Sequence, residues 1–345
     1  MKITWYVFLW YGFNIVFNIK NKQLLNSFPY PWFVSTVQLV VSGLFMVVLW
    51  VTGLHPVPRV SKGLLLALAP VALFNTVGHV SACVSFSKMA VSFAHVVKSA
   101  EPVVSVGLSQ LLIGEVNGPL VWLSLLPIIA GCSLSAMKEV SFAWDGFSNA
   151  MVSNVGMVLR NVYSKKYLGD HGKDVDGVNL FGILSILSFF WLLPAAFLAE
   201  GVAFGSATAW SGATAAAAPA AAAAAATAAA PPAVTFVWGR AIANYFATRG
   251  SLSFLKAVLV SGSLYHLYNQ MSYAVLGTGI SPVTFSVGNT MKRVAVVISS
   301  VLFFKNPVSP LNWIGSIVAM LGTGLYSLAQ QKQKNDRANK AAKQR

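Results

Sequence analysis

Acidic side chains are scarce in this chain: nine Asp and Glu stand against 24 Lys and Arg, a formal charge of +15 over 345 residues. Charge of either sign is scarce too, at 10% against roughly 25% in a soluble domain. Hydrophobic residues make up 56% and mean hydropathy is +0.66. A chain of this length with so few charges cannot cover itself with a solvated surface, which excludes a soluble domain and points to a polytopic membrane protein. The shortage of carboxylates also removes the usual equipment of an enzyme. Neither an acid/base pair nor a His/Asp/Glu metal cluster can be assembled inside the spans, so no catalytic residue and no cofactor is expected. Cysteine is limited to Cys83 and Cys132, both in apolar runs, where they read as small core residues rather than a disulfide or metal site. The basic excess would suit nucleic acid or anionic lipid, but part of it sits in a tail, Gln330–Arg345, that reads as a solvated end. Membrane lipid is expected around this chain and nucleic acid is not.

Apolar runs punctuated by charge, Pro and Gly predict ten transmembrane helices in an all-α membrane protein, near 3–19, 32–52, 63–86, 91–113, 120–137, 146–164, 179–198, 252–276, 282–304 and 311–329. Lys2 leads straight into the first without a small-residue cleavage site; a transit peptide removed upstream is compatible with that. The tract 206–234 is rich in Ala, Pro and Thr and is expected to be an extramembrane insertion. Phe236–Arg249 after it reads as a short interfacial helix.

Self-similarity divides the chain. GEVNGPLVWLSLLPIIAGCSLSAM (114–137) matches KNPVSPLNWIGSIVAMLGTGLYSL (305–328) at an offset of 191, with Pro119/Pro310, Leu120/Leu311, Trp122/Trp313, Gly131/Gly322 and Leu134/Leu325 coinciding. Asn18–Lys22 likewise resembles Asn161–Lys165. The expectation is two five-helix repeats, 1–137 and 146–329, the second carrying the insertion, followed by the basic tail 330–345. An odd number of spans per repeat inverts the second copy, an arrangement found in secondary transporters with substrate near the midplane.

Charge inside the spans then becomes informative. Ser281–Phe304 reads SPVTFSVGNTMKRVAVVISSVLFF, with Lys292-Arg293 near its centre. A charge at that depth costs between ~3 and more than ~10 kcal/mol, so it persists only against a cavity or a partner. Snorkelling from a short helix is the alternative, but the apolar run continues for eleven residues after Arg293. At the 191 offset Lys98 falls opposite Asn289 and Lys292 opposite Glu101, so inversion brings Lys98, Lys292 and Arg293 toward one cavity. Their repulsion must be offset by Glu101 or by a bound anion. A phosphate monoester carries about −1.5 to −2 and suits Arg and Lys together, whereas a neutral sugar would not need this set. An empty site with three cations should resist reorientation, which makes exchange of one anion for another the simplest inference.

Other polar residues in the spans allow two readings each. His79 and His266 coincide at an offset of 187, with Ser85/Ser272 and Phe86/Tyr273. Either histidine could pack or face the cavity, as could His95, one turn before Lys98. Tyr265, Tyr268 and Tyr273 offer hydroxyls or simple aromatic packing. Arg160, near the end of its helix, is expected to snorkel.

The stretches FNIKNKQLLNSFPYPWF (17–33), GHVSACVSFSKMAVSFAHVVKSAEP (78–102), RNVYSKK (160–166), YHLYNQ (265–270) and SPVTFSVGNTMKR (281–293) resemble the plastidic phosphate translocators of the drug/metabolite transporter superfamily. The resemblance covers nearly every span outside the insertion. It implies an antiporter of the plastid inner envelope that exchanges inorganic phosphate for phosphorylated C3 to C6 compounds. Carried over by motif, it implies that Lys98, Lys292 and Arg293 hold the phosphate while His79 and Tyr268 line the rest of the site.

Branch is read from the residues around the motif. Phosphoenolpyruvate exchangers typically carry Asn at the position of His79. Triose-phosphate exchangers carry a hydroxyl residue three positions later, where this chain has Ala82, which widens the pocket. VKSAEP, SLLPIIAGC and FSVGNTMKR look most like the glucose 6-phosphate branch, with the xylulose 5-phosphate branch close by. A triose-phosphate or xylulose 5-phosphate exchanger and a nucleotide-sugar carrier of the same superfamily are the alternatives. The segment from Tyr268 to Pro282 is one residue longer than the family pattern, which leaves the register of Tyr268 open.

Overall fold

The computed structural model describes residues 2–137, 139–167, 175–204, 234–277 and 282–343. It is helical apart from one short antiparallel pairing, β1 (Val202–Phe204) with β2 (Val234–Phe236). Except for Val234, the Ala-rich tract 206–234 lies outside the described residues, but its flanks pair with each other. The intervening chain therefore leaves and returns at one place. After β2 comes α10 (Val237–Arg249), where an interfacial helix was expected.

Six helical stretches among the described residues are long and apolar enough to cross a membrane: Pro31–Val51, Lys62–Lys88, Pro119–Met137, Gly177–Gly201, Val287–Phe304 and Pro310–Asn339. They contain α2 (Pro31–Val51), α3 (Lys62–Lys88), α6 (Pro119–Leu123) with α7 (Leu125–Met137), α9 (Gly177–Ala196), most of α12 (Pro282–Phe304) and most of α13 (Pro310–Lys343). The remaining stretches are α1 (Lys2–Ser27), α4 (Val91–Lys98) with α5 (Glu101–Ile113), α8 (Trp144–Tyr167) and α11 (Ser251–Gly277). These carry Asn14, Asn18, Lys98, Glu101, Arg160 and Asn269, and each of those side chains faces one internal cavity.

Two expected helices are interrupted, each four residues before a proline, although Pro70 and Pro194 lie inside α3 and α9 without interrupting them. A proline has no N–H for the carbonyl four residues back and its ring crowds that carbonyl. Helix α4 ends at Lys98, four residues before Pro102, and α6 ends at Leu123, four before Pro127. At the C-terminus the basic tail is largely exposed, as a solvated end should be, and it is helical: α13 continues to Lys343. Gln333 on that extension accepts from Gly118 N–H at 2.7 Å and donates to the Val116 carbonyl.

The most extensive helix pairings are α3 with α8, α7 with α13, and α1 with α11, followed by α2 with α9 and α2 with α11. Glycine sets the closest approach between α7 and α13. A Cβ at Gly131 would sit 2.3 Å from the Ala319 amide nitrogen, and one at Gly322 would sit 2.8 Å from that of Ile128.

The largest buried apolar cluster gathers Leu24 and Leu25 of α1, Phe28 just after it, Phe86 and Met89 by the end of α3, Phe93 of α4, Phe254 of α11 and Val296 of α12. These residues come from one end of the bundle, the end away from both termini. Lys22 reinforces the closure by donating to the Phe86 and Met89 carbonyls at 2.7 and 3.2 Å. Glu200 does the same at the start of α2, where its carboxylate accepts from Phe33 N–H at 2.8 Å.

Candidate functional site

All six residues singled out in the sequence, Lys98, Lys292, Arg293, His79, Tyr268 and Ala82, line one cavity of about 580 Å³. It runs from the middle of the bundle toward the end that carries both termini, where Ser164, Leu180 and Tyr273 line it. The opposite end is sealed by the apolar cluster.

The break between α4 and α5 builds the centre of the site. Helix ends leave carbonyls without intrahelical donors, and here side chains from four other helices meet them. Cys132 of α7 reaches Val96 O at 3.3 Å, Asn154 of α8 reaches Val97 O at 3.1 Å, Arg293 of α12 reaches Lys98 O at 2.6 Å, and Thr323 of α13 reaches Ser99 O at 3.2 Å. Pro102 has no N–H to give the Lys98 carbonyl, and the Arg293 guanidinium supplies the donor instead.

Arg293 also donates to Glu101 Oε2 at 2.5 Å in an ion pair. The repeat had set Glu101 opposite Lys292; packing gives it to Arg293. The two lysines meet neutral groups. Lys98 Nζ donates to Ser153 Oγ at 2.6 Å, while Lys292 Nζ donates to Asn289 Oδ1 at 3.2 Å and stands 5.0 Å from the centre of the Trp10 ring. An ammonium over an indole face is attracted by the ring quadrupole. Three cations and one carboxylate leave two positive charges at the centre.

Sequence reasoning placed Arg160 at the interface, and the structure corrects this. Arg160 lines the cavity, with Nη1 on Asn75 Oδ1 at 3.2 Å and Nη2 on Asn161 Oδ1 at 3.1 Å. The available signal was Arg160, Asn161 and Ser164 recurring on one side of α8, a polar stripe at helical spacing.

The histidines separate. His266 is fully buried outside the cavity, bonded through Nδ1 to Ser42 Oγ at 3.0 Å and stacked on Phe45; it packs. His79 lines the cavity, its ring 4.5 Å from that of Tyr265, and its Nε2 has no partner among the described residues. His95 also lines it, with Nε2 on Asn18 Oδ1 at 2.9 Å. Tyr268 and Tyr273 face the cavity, whereas Tyr265 is buried against Phe17 and Tyr268. Of the two cysteines, Cys83 is buried and free and Cys132 is free.

A geometry of half-buried cations around a cavity inside the helix bundle suits anion passage, and comparison with known proteins agrees. The profile of the Triose-phosphate Transporter family matches residues 1–327. The chain belongs to that family. It is therefore a transporter and not an enzyme. Over 326 residues this transporter is 51% identical to the xylulose 5-phosphate/phosphate translocator, chloroplastic, of Arabidopsis thaliana, covering 94% of this chain and 70% of that one. Identity is 42% to glucose-6-phosphate/phosphate translocator 1, chloroplastic, of Arabidopsis thaliana (96% and 76% covered). It is 34% to the triose phosphate/phosphate translocator, chloroplastic, of Zea mays (98% and 73% covered). The chloroplastic relatives and the apolar helices make this transporter a multi-pass plastid membrane protein. The motifs had put the glucose 6-phosphate branch ahead of the xylulose 5-phosphate branch; identity over the chain ranks them the other way.

Proposed function

We propose that this transporter exchanges inorganic phosphate for a phosphorylated sugar across the plastid inner envelope. The observation that carries the reading is the charge count at the centre of the cavity. Glu101 occupies Arg293, which leaves the charge of two lysines to be met by an arriving dianion. Lys98, Lys292 and Arg293 then hold the phosphate group, and His79, Tyr268 and the space over Ala82 receive the sugar. Xylulose 5-phosphate is the first candidate and glucose 6-phosphate the second. Sequence likeness to the corresponding relatives supports that order, and Ala82 supports a cargo larger than a triose.

The same reading includes ten spans arranged as two inverted repeats, with alternating access around the cationic site. Helix pairings support it because they are exchange-symmetric. Assigning α1 to α8, α3 to α11 and α2 to α9 turns the α3–α8 pairing into α1–α11. The contact of Gly131 with Ala319 and that of Ile128 with Gly322 are also related by the 191 offset, so each is the other seen from the second repeat. In this conformation the cavity faces the end with the termini.

Proteoliposomes preloaded with phosphate are expected to take up labelled xylulose 5-phosphate, while empty ones are not. Equal uptake by empty vesicles would rule out strict exchange, and no uptake in either would refute the reading. Ala82→Thr is expected to shift the ratio of triose to pentose phosphate uptake at least about threefold toward triose, because a buried hydroxyl adds a hydrogen bond worth about 1 kcal/mol and narrows the pocket. Competition between the two labelled substrates measures that ratio.

A further inference from the structure

Lys98 carries its charge on a side chain with four rotatable bonds, yet it is held at one point. Its Nζ donates to Ser153 Oγ at 2.6 Å, and Ser153 Oγ donates to the Gly78 carbonyl at 2.7 Å. A serine hydroxyl has one proton. The Gly78 carbonyl can only accept, so that proton is committed and a lone pair of Ser153 faces the ammonium. The result is a directed relay, Lys98 to Ser153 to Gly78, that joins α4, α8 and α3. Ser153 is itself fully buried.

Backbone contact places this hydroxyl. Gly156, one turn on from Ser153, lies so close to α3 that a Cβ there would be 2.7 Å from the Gly78 amide nitrogen. Ser153 lies behind the cavity wall, one turn before the stripe of α8 that lines it through Met157, Arg160 and Ser164. Asn154, the next residue, donates to the Val97 carbonyl at 3.1 Å. Adjacent residues of α8 therefore grip the turn that bears Lys98 twice, once by its side chain and once by its backbone.

We propose that Ser153 is a positioning residue for the cargo: it fixes the Lys98 ammonium so that its two remaining N–H donors face the anion. The proposal rests on phosphate being the cargo. It also explains why a lysine at this depth meets a hydroxyl rather than a carboxylate. A carboxylate would cancel the charge the anion needs, whereas a hydroxyl orients the ammonium and leaves it charged.

The test is phosphate/phosphate exchange in proteoliposomes by wild type, Ser153→Ala and Ser153→Thr, with melting temperatures of each in detergent. Alanine is nearly the shape of serine and a better helix former, so the apo melting temperature should stay within a few degrees. The KM of Ser153→Ala for phosphate should rise about tenfold, the scale of one hydrogen bond to a charged group, with kcat within twofold. Ser153→Thr, which keeps the hydroxyl, should restore a near-wild-type KM. A KM for Ser153→Ala within twofold of wild type overturns the proposal, as does a fall in kcat matched by lost melting temperature, which would make the serine a packing residue. Failure of wild type to exchange phosphate overturns both the cargo assignment and the proposal. Intact wild-type exchange with an indifferent Ser153→Ala overturns the positioning role alone.

Discussion

Lys292→Ala is expected to lower phosphate counter-exchange in proteoliposomes by at least about a hundredfold. A hydrogen bond to a charged group is worth about 1.5–3 kcal/mol, and about 1.4 kcal/mol is a factor of ten. Loss of one lysine therefore removes one or two such bonds to the anion together with one of the three positive charges in the cavity that no carboxylate meets, those of Lys98, Lys292 and Arg160. The effect on the empty protein has the opposite sign. Lys292 shares the cavity with Lys98, Arg293 and Arg160, and its own partners are an amide oxygen at 3.2 Å and an indole face. Removing it relieves repulsion and frees no carboxylate, because Glu101 is paired with Arg293. The melting temperature of Lys292→Ala without phosphate should equal or exceed that of wild type. A variant that keeps more than a tenth of the exchange rate would refute Lys292 as a phosphate ligand.

Gly131→Val should do the reverse, damaging the fold with no direct effect on the cavity. Its Cβ would fall 2.3 Å from Ala319 N and 2.6 Å from the Gly315 carbonyl oxygen. Both are backbone atoms of α13, so no side-chain rotation relieves the clash and the two helices must part. Overpacking of this kind costs about 1–3 kcal/mol or more, which corresponds to a fall of about 5–10 °C in melting temperature. Gly324→Ala is the control on the same helix pair, since a Cβ there meets nothing within 4 Å, and its melting temperature should not fall. An unchanged melting temperature for Gly131→Val would show that α7 and α13 do not depend on this contact.

Several features of the site are legible in the sequence itself. Buried cations are expensive in a membrane, so Lys98 and Lys292-Arg293 announce themselves by cost alone, and the internal repeat is enough to bring them to one place. Helix interruptions are less legible: Pro102 and Pro127 follow the stops at Lys98 and Leu123, but Pro70 and Pro194 lie inside α3 and α9 without stopping them. The class of protein follows from composition: a chain with so few charges has only a bilayer as a suitable solvent.

Which way each charge points is not legible there. Neighbours on a helix are about 100° apart, so Lys292 and Arg293 cannot both face Glu101, and spacing does not say which does. Packing chose Arg293, and with that choice it left the lysines on neutral partners, Ser153 and Asn289. Arg160 reads as snorkelling because its place near a helix end permits that, and only the neighbouring Asn75 shows that it turns inward. Ser153 carries no signal in sequence, since an isolated serine in a helix is ordinary until a glycine contact sets it beside a lysine. By itself, then, the chain determined its solvent and the sign of the charge inside its spans, both consequences of local cost. Partners, directions and the closed end of the cavity depend on which helices touch, and the tertiary structure alone decided those.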